Sequence, residues 1–480
     1  MRRELEGWVP QLNKSGPPVY QQIAGAIADD ITSGRLVPEQ RLPPQRKLAA
    51  ALGIDFTTVA RAYVEAQRRG LVDSTVGRGT FVRARRRPAL PRAVEDRPHV
   101  DLSLNLPPEP QPHPQLERDA GALARRMQAG YDAVGARLRD LLRCQDACGS
   151  ADDRAAGALW LRRRGLAAAP ERILVTAGAR CALLAVLATL APPGSVICCE
   201  ALTYPGLRTL AGQLGLTLVG LPMDGHGIDA AAFAAACARY APKALYCNPT
   251  LLNPTTATMS EGRRRELVEV ARLHGVAIIE DDAYGFLPRA GPPPLASIGP
   301  DISYYIAGLS KCLGAGLRVA YLVAPDLQAG ARLTAAMRVT SVMVTPVSPV
   351  MAALATRWIR DGTADLMLDS LRRECVARHA IATRALPAGS FDALPEGFHL
   401  WLRLPPPWNR TAFAAAMTGA GVAVVASDAL AVGTLDGAPD AAPEAVRVCL
   451  GGGDRSQVEQ AMALLSDALQ QPSSYAAYRG

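Results

Sequence analysis

The chain has 480 residues, of which 49% are apolar, and its formal net charge is +8. This length exceeds that of one ordinary domain, so we expect two or three domains with at least one large hydrophobic core. The sequence lacks an N-terminal apolar signal core and any apolar stretch approaching membrane-spanning length, which predicts a soluble, cytoplasmic protein with no membrane partner.

The positive charge is concentrated near the N-terminus. Residues 1–87 contain 15 Lys plus Arg against 8 Asp plus Glu, which is a net charge of +7. A basic segment on a nearly neutral body indicates a polyanionic partner, although a charged run can also be simply a solvated surface. The ten cysteines form no Cys-x-x-Cys pairs and the six histidines show no metal-ligand spacing, so we expect reduced thiols and no metal.

Three helices followed by a hairpin are predicted in residues 19–82. The predicted elements are a helix over 19–33, a short helix after Pro43-Pro44, a helix over 56–69 with Asp55 as N-cap, and a hairpin over 71–82. Apolar residues at helical spacing form the expected buried sides: Ile23, Ile27 and Ile31, then Leu48, Ala49 and Leu52, then Val59, Ala62 and Tyr63. This order is typical of a winged helix-turn-helix, but a small three-helix packing module would show the same pattern.

The stretch from Pro18 to Val82 resembles the winged helix-turn-helix of GntR-type regulators. The shared motifs are Leu-Pro-Pro-Gln-Arg-Lys-Leu-Ala at 42–49, Thr-Val at 58–59, and Gly-Arg-Gly-Thr-Phe-Val at 77–82. The resemblance implies a double-stranded DNA operator as partner, with Thr57, Thr58 and Arg61 in the major groove and Arg41, Arg46 and Arg78 on phosphates or groove edges. Asp55-Phe56 stands where the family commonly has Ser-Arg, so the operator sequence cannot be taken from relatives.

Residues 83–114 contain eight prolines and begin with Arg-Ala-Arg-Arg-Arg. This composition predicts a semi-rigid linker and no packed element. After it, helices are predicted over 121–143 and from Asp153 to Trp160.

Two strand-like stretches end in polar residues. Residues 244–247 run into a Pro-rich turn that contains Asn253, and an apolar run from Val276 predicts a buried parallel strand with Asp281 at its carboxyl end. Ligands bind at that end of such sheets. If a cofactor with a pyridine ring binds here, Asp281 is placed to hold its protonated ring nitrogen, and Asn253 and Tyr284 are placed to contact the phenolic oxygen of the same ring.

Lys311 lies at the centre of the stretch from Ala307 to Arg318. A lysine whose amine is desolvated can form a Schiff base with pyridoxal phosphate, and Arg318 offers a planar guanidinium that suits a phosphate dianion. A Ser-Lys followed by a Gly-Leu-Arg turn is by itself more often a surface loop. The strand-end residues upstream favour the cofactor interpretation.

Residues 176–318 resemble the large domain of fold-type I aminotransferases, which implies pyridoxal 5'-phosphate as cofactor. By this resemblance the phosphate lies against a helix N-terminus at Ala177, Gly178 and Ala179, and Tyr204 lies on the cofactor face. The same resemblance assigns Asn253 and Tyr284 to the phenolic oxygen, Asp281 to the pyridinium, Lys311 to the Schiff base and Arg318 to the phosphate, and it counts Ser310 among the cofactor contacts.

Residues 345–470 are predicted to form a smaller α+β unit. It would contain helices over 351–358, 366–386 and 458–469 and a strand over 398–404, followed by a disordered tail from Gln471. Arg447 could be an ordinary strand arginine. The resemblance implies that it binds the carboxylate of a substrate or effector.

The stretch from Val100 to Pro110 resembles the opening of the aminotransferase-like part of MocR-type regulators, the GntR subgroup that fuses a winged helix to this enzyme fold. The expected fold class is therefore a winged helix-turn-helix followed by an α/β fold-type I aminotransferase-like body with a small α+β domain. The expected bounds are 12–82 for the DNA-binding domain, 83–114 for the linker, 115–345 and 346–472 for the large and small parts of the body, and 473–480 for the tail.

Three positions depart from the family pattern. Gly308 stands where a serine often holds phosphate, Thr256 replaces the glycine that usually follows Asn-Pro-Thr, and Cys144 replaces a tyrosine that commonly reaches the partner's cofactor phosphate. The change at Gly308 should cost a hydrogen bond, and together the departures point to a lowered cofactor affinity, but the core roles remain filled, so cofactor binding is still expected.

Two functions remain open. The first is a head-to-tail homodimeric transcriptional regulator that senses an amino acid or amine by imine exchange at Lys311. The second is a catalytic aminotransferase with a DNA-binding appendage. The complete winged helix favours the regulator, since a basic DNA-binding domain has no use in transamination, although residual aminotransferase activity is compatible with it.

Overall fold

In the computed structural model the chain forms two compact units, Met1–Asp96 and Arg97–Gly480. The structure describes all residues except 1–7, 11, 13–17, 33–34, 38–39, 69–70, 76–78, 83–99, 111–116, 144–145, 340–345, 434–441 and 479–480. The wing residue Arg78, most of the predicted linker and Cys144 lie outside the described residues.

The first unit contains three helices and a two-stranded antiparallel sheet. They are α1 (Val19–Thr32), α2 (Gln45–Leu52), α3 (Phe56–Arg68), β1 (Val72–Thr75) and β2 (Gly79–Val82). Asp55 begins α3 as predicted, because its Oδ1 accepts a hydrogen bond from the Thr57 amide at 2.8 Å. The apolar positions spaced three and four apart turn inward, and Ile23, Ile27 and Val59 are all 0% exposed.

The second unit contains the remaining elements. In chain order they are β3 (Val100–Asp101), α4 (Glu117–Gly135), α5 (Leu138–Leu141), α6 (Ala151–Arg162), β4 (Ile173–Thr176), α7 (Ala179–Leu190), β5 (Val196–Glu200), α8 (Pro205–Leu214), β6 (Thr217–Leu221), β7 (Met223–Asp224), β8 (Gly227–Ile228), α9 (Ala230–Tyr240), β9 (Ala244–Cys247), α10 (Glu261–His274), β10 (Ala277–Asp281), α11 (Leu295–Ile298), β11 (Ser303–Gly308), β12 (Ala320–Val323), α12 (Leu327–Val339), α13 (Pro349–Arg360), α14 (Thr363–Ala385), β13 (Phe391–Asp392), β14 (His399–Arg403), α15 (Arg410–Gly419), β15 (Val422–Ala423), β16 (Val425–Ala426), β17 (Ala445–Cys449) and α16 (Arg455–Gln470).

A seven-stranded sheet in the order β4-β12-β11-β10-β9-β5-β6 forms the centre of the large domain. All its strands run in one direction except β12, which is antiparallel to both neighbours. Strands such as β4, β9 and β11 are buried along their whole length, which explains their continuous apolar sequence. The carboxyl ends of six strands, and the start of β12, therefore lie along one edge.

The small domain is built on the antiparallel sheet β13-β14-β17-β16. Its core combines apolar residues of this sheet with those of α15 and α16, including Leu400, Val446, Phe413 and Met462. The helices α13, α14 and α16 and the strand β14 occupy the regions that the sequence predicts.

Three expectations are wrong in detail. The helix predicted over 121–143 ends at Gly135, and α5 follows after a turn. Part of the predicted linker is packed, because β3 pairs in parallel with β15 and Leu102 is 0% exposed. The tail predicted to be disordered continues as a helical turn at Pro472–Tyr478, since Tyr475 is buried in the small-domain core.

Within the described ranges, no helix is long and apolar enough to cross a membrane. The nine cysteines that the structure describes are free thiols. In the same residues there is no cluster of His, Cys, Asp and Glu side chains that could hold a metal ion.

Candidate functional site

The sheet topology brings the chemistry-bearing residues of the large domain to one edge. Asp281 is the last residue of β10 and pairs with Ile306 of the parallel neighbour β11. Lys311 follows β11 in the chain. Arg318 immediately precedes Val319 and β12, whose first residue Ala320 pairs with Thr176 at the end of β4. Residues separated by over a hundred positions thus converge on one site.

Lys311 is enclosed by residues from several parts of the chain. Its Nζ donates to the backbone oxygen of Asn105 and lies 6.0 Å from the centre of the Phe398 ring. The pKa of Lys311 is lowered to about 8, mainly by burial; the cations Arg447 and Arg180 contribute to the lowering, while Cys449 and Asp281 oppose it. An amine with this pKa is partly neutral near pH 7, so it can act as a nucleophile toward an aldehyde.

Asp281 is a buried carboxylate whose two oxygens have different surroundings. Oδ2 accepts a hydrogen bond from the Tyr246 hydroxyl at 2.9 Å, while Oδ1 has no hydrogen-bond partner in the part of the chain that the structure describes. Burial raises the pKa of Asp281 to about 6. A buried oxygen without a donor is costly, and the N–H of a protonated ring nitrogen would satisfy it.

The N-terminus of α7 forms the opposite end of the site. Gly178, at φ 92°, is the N-cap residue of this helix, and the amides of Ala179 and Arg180 face no acceptor among the described residues. The Arg318 guanidinium donates to the Ala177 oxygen at 3.4 Å, and its Cζ would lie 3.4 Å from a Cβ at position 178. Free amides, the helix dipole and a guanidinium together suit a phosphate dianion.

The other predicted residues of this end lie close by. The Tyr204 hydroxyl accepts a hydrogen bond from Arg180 Nη2 at 2.8 Å. Ser310 is half-buried in the turn Leu309–Lys311. At Gly308, a Cβ would lie 3.2 Å from the Cβ of Ala179, so the side chain that relatives often carry here would crowd the start of α7.

Arg447 reaches the same site from the small domain. It is 5% exposed on β17, and its Nη1 donates to Oδ1 of Asn253 at 2.7 Å. Its Nη2 donates to the backbone oxygen of Ser103 at 2.6 Å, and Nε has no partner among the residues described. The hydroxyl of Tyr284 accepts from the Asn105 amide nitrogen at 2.8 Å, and burial raises the pKa of Tyr284.

Four residues that the sequence analysis does not assign also take part in the site. Tyr246 and Asn248 hold Asp281 through its carboxylate and its backbone oxygen, and their position at the end of β9 could have indicated them. Ser103 and Asn105 belong to the stretch predicted to be linker, whose proline content conceals their role.

In the first unit, four of the predicted DNA contacts are exposed side chains, namely Arg41, Arg46, Thr57 and Arg61. The Arg61 guanidinium lies 4.6 Å from the Tyr20 ring centre, and that of Arg46 lies 5.9 Å from the ring centre of Phe56. Phe56 is 43% exposed and is not among the predicted contacts. Exposed aromatic and basic groups at a helix N-terminus suit a nucleic-acid surface.

Of the other predicted contacts, the structure describes Arg41, Thr57 and Thr58. Arg41 lies against the wing, because its Nε would be 2.8 Å from a Cβ at Gly79, and with Arg46 and Phe56 it lines a cavity of about 290 Å³. Thr57 is exposed and its hydroxyl contacts Asp55, whereas Thr58 is half-buried.

The residues of the second unit fit pyridoxal 5'-phosphate. The unpaired Oδ1 of Asp281 matches the pyridine nitrogen, the free amides of α7 with Arg318 match the phosphate, and Lys311 matches the aldehyde.

Two family models match the chain. The model described as "Aminotransferase class I and II" matches residues 98–465, and the model described as "Bacterial regulatory proteins, gntR family" matches residues 19–82. The first covers most of the chain, and the second covers the three helices and the hairpin of the first unit.

Similar proteins and structures support both matches. The chain is 30% identical over 435 residues to the HTH-type transcriptional regulator YdeF of Bacillus subtilis, covering 89% of this chain and 90% of YdeF. It is 27% identical over 396 residues to the HTH-type pyridoxine biosynthesis transcriptional regulator PdxR of Corynebacterium glutamicum, covering 80% and 83%. An archaeal alanine:glyoxylate aminotransferase structure superposes with a TM-score of 0.67 at 22% identity, covering 78% of this chain and 91% of that one.

Proposed function

The chain belongs to the aminotransferase class I and II family and carries a gntR-family DNA-binding domain, and we propose that it regulates transcription by sensing an amino acid or amine at Lys311. It is a pyridoxal phosphate-dependent, DNA-binding regulator of the MocR type. The observation that carries the proposed sensing is the convergence of Lys311, Asp281 and Arg447 on one site in a chain that also has a winged helix.

Pyridoxal phosphate supplies an aldehyde that condenses reversibly with primary amines. When the cofactor is bound, Asp281 would hold the proton on its ring nitrogen, and the amides of Ala179 and Arg180, with Arg318, would hold its phosphate. Tyr204 would lie against its ring, and Asn253 and Tyr284 would donate to its phenolic oxygen. Lys311 would supply the amine that reacts with its aldehyde, and an effector amine would compete with Lys311 for that aldehyde.

Arg447 binds the carboxylate of an effector. It is buried, so its charge is little screened, and its unpaired Nε can donate to an oxygen without breaking an existing bond. Because it comes from the small domain, a ligand held by both Arg447 and the large domain can shift the position of one relative to the other.

The DNA partner is bound by the first unit, with Thr57, Thr58 and Arg61 toward base edges and Arg41, Arg46 and Arg78 toward the backbone. The proposed bounds remain 12–82 for this domain and 346–472 for the small domain. The linker is better taken to end before Val100, because β3 is already part of the body.

A homodimer, arranged head to tail, would carry two such domains to two half-sites. Large apolar side chains on and beside α4 and α5 support an interface there, since Tyr131 is 48%, Leu138 43% and Leu142 73% exposed. Light scattering that finds a monomer at micromolar concentration would contradict this assembly.

Catalytic transamination is the second candidate, since the lowered pKa of Lys311 also suits a general base. A regulator needs only amine exchange, whereas an enzyme must also move a proton at the ligand's Cα and turn over with a keto acid. Both activities can be measured on the same protein preparation.

The test titrates DNA from upstream of the chain's own gene against the protein loaded with pyridoxal phosphate, with and without each member of an amino acid and amine panel. An assay with the same amines plus a keto acid runs in parallel. We expect specific DNA binding that one class of amine changes, with little or no turnover. Rapid turnover without specific DNA binding would instead identify an enzyme.

A further inference from the structure

Residues 103–106, here called the strap, cross the site and hold two of its cations by backbone carbonyl groups. The Ser103 oxygen accepts from Arg447 Nη2 at 2.6 Å, and the Asn105 oxygen accepts from Lys311 Nζ. These are the two groups that the proposed function gives to the effector's carboxylate and to the aldehyde. The strap therefore occupies hydrogen-bonding positions that a ligand needs.

The geometry at Arg447 makes this competition specific. A carboxylate binds a guanidinium best through two parallel hydrogen bonds, which here requires the edge formed by Nε and Nη2, since Nη1 is bonded to Asn253. Nε has no partner within the described residues, but Nη2 is bonded to Ser103. Because Nη2 carries two N–H groups, the Ser103 carbonyl does not fill this edge by itself, but it places a second oxygen on the nitrogen that the carboxylate needs, and the two oxygens repel each other.

The strap is held mainly by residues of the site. The backbone of the strap is bonded to Lys311 and Arg447, and in addition the Asn105 side chain donates a hydrogen bond to the Tyr284 hydroxyl at 2.8 Å. Its apolar side chains add little, because Leu104 is 53% and Leu106 is 42% exposed. Leu106 also borders a cavity of about 1750 Å³, so there is space beside the strap. Ligand contacts that replace these polar bonds would release it.

The segment before the strap is anchored differently. The Leu102 amide donates to the Ala423 oxygen at 3.0 Å, and Asp101 Oδ1 accepts at 2.9 Å from the amide of Ser103, the first residue of the strap. In the sequence, the chain from the DNA-binding domain enters the second unit through this segment. A change in the position of the strap therefore takes place only a few residues after the linker that comes from the DNA-binding domain.

We propose that the strap is a built-in competitor of the effector, and that an amino acid binds by displacing the Ser103 carbonyl from Arg447. This inference rests on the proposed function in taking Arg447 as the carboxylate-binding residue. It narrows the effector class, because an amine without an anionic group has nothing to offer the Nε and Nη2 edge, and a planar carboxylate matches the two parallel N–H groups of that edge. The effector is an amino carboxylic acid, and release of the strap is the first event of the response.

The test compares two probes on the cofactor-free protein, pyridoxamine 5'-phosphate and N-(5'-phosphopyridoxyl)-L-alanine, which adds a carboxylate together with the alanine Cα and methyl group. Two variants loosen the strap: Asn105→Ala removes the bond to Tyr284, and Gly451→Ala adds a Cβ that would overlap the Leu106 oxygen. Gly212→Ala is the matched control, since a Cβ there meets nothing within 4 Å.

We expect both strap variants to raise affinity for the alanine adduct, relative to pyridoxamine phosphate, by about 5-fold or more, with no change in the control. In the wild-type protein, the alanine adduct should speed hydrogen exchange of the amides in residues 103–106, and pyridoxamine phosphate should not. Unchanged affinity ratios in both variants, or slower exchange of the strap with the adduct, would overturn the inference.

Arg447→Gln separates this inference from the proposed function. If that variant does not lower the preference for the alanine adduct, Arg447 is not the carboxylate site and the proposed function fails with it. If it does lower the preference while the strap variants behave as wild type, only the role of the strap is wrong.

Discussion

Arg447 donates a hydrogen bond to Asn253 over 2.7 Å, although the two residues are 194 positions apart. Arg447 lies on β17 of the small domain, and Asn253 lies in the turn that follows β9 of the large domain. The proposed carboxylate position and the proposed position of the cofactor's phenolic oxygen are therefore joined by one contact between domains. A ligand that binds either residue acts on the boundary between the two.

Arg447→Gln should remove the response of DNA binding to an amino acid, because glutamine cannot offer a charged, two-pronged edge to a carboxylate. The measurement is footprinting with and without the amino acid that acts most strongly on the wild-type protein. Arg403→Gln is the control, since Arg403 lies on the neighbouring strand β14 but is exposed and pairs with Asp392. A response retained in Arg447→Gln would place the carboxylate elsewhere.

The rate at which pyridoxal phosphate attaches to Lys311 should rise with pH through a midpoint near 8, because only the neutral amine attacks and burial lowers the pKa of this lysine to about 8. The measurement is borohydride trapping after short incubations at a series of pH values. Lys311→Ala should trap nothing at this site. In Arg447→Gln, loss of a nearby cation should move the midpoint to higher pH. A wild-type midpoint near the ordinary lysine value of 10.5 would show that the amine is not desolvated.

Arg46→Ala should weaken DNA binding and reduce the slope of log affinity against log salt by about 1, because one phosphate contact is lost. The spectrum of the bound cofactor should not change. Arg35→Ala removes the same charge from the same unit, but Arg35 pairs with Asp30 at 2.5 Å, so it should have a smaller effect. Equal effects of both variants on the salt slope would mean that only the total charge matters.

Thr256→Gly should raise the free energy of unfolding of the second unit by about 0.5 to 1 kcal/mol, because a β-branched residue is strained at positive φ. Thr256 has φ 64°, which is the conformation that the glycine of the family pattern adopts without strain. Urea unfolding of the cofactor-free protein measures the effect. Thr255→Gly is the control in the same turn; Thr255 has no positive φ, so this change should destabilise. A destabilised Thr256→Gly would mean that the threonine side chain contributes more than its backbone strain costs.

Local patterns in the sequence are sufficient to predict most of the helices and strands and to identify the family. Helix periodicity predicts α1 to α3 because one face of each helix must be apolar, as the burial of Ile23 and Val59 illustrates. Asp281 could be predicted as a site residue because it ends a continuous apolar strand, and strand ends of a parallel sheet meet at one edge. Composition predicts the tail and the linker wrongly, because it does not reveal that Tyr475 and Leu102 pack into the apolar core of the small domain.

Tertiary structure decided which backbone groups complete the site. Ser103 and Asn105 contact Arg447, Lys311 and Tyr284 only because β3 pairs with β15, and no local spacing encodes a contact between residues hundreds of positions apart. The sequence determined that an amine, a carboxylate and a guanidinium are available. Packing of the small domain against the large one determined that the Ser103 carbonyl group is already hydrogen-bonded to the Arg447 guanidinium. The sequence does not indicate this contact, because side-chain periodicity carries no information about backbone oxygens.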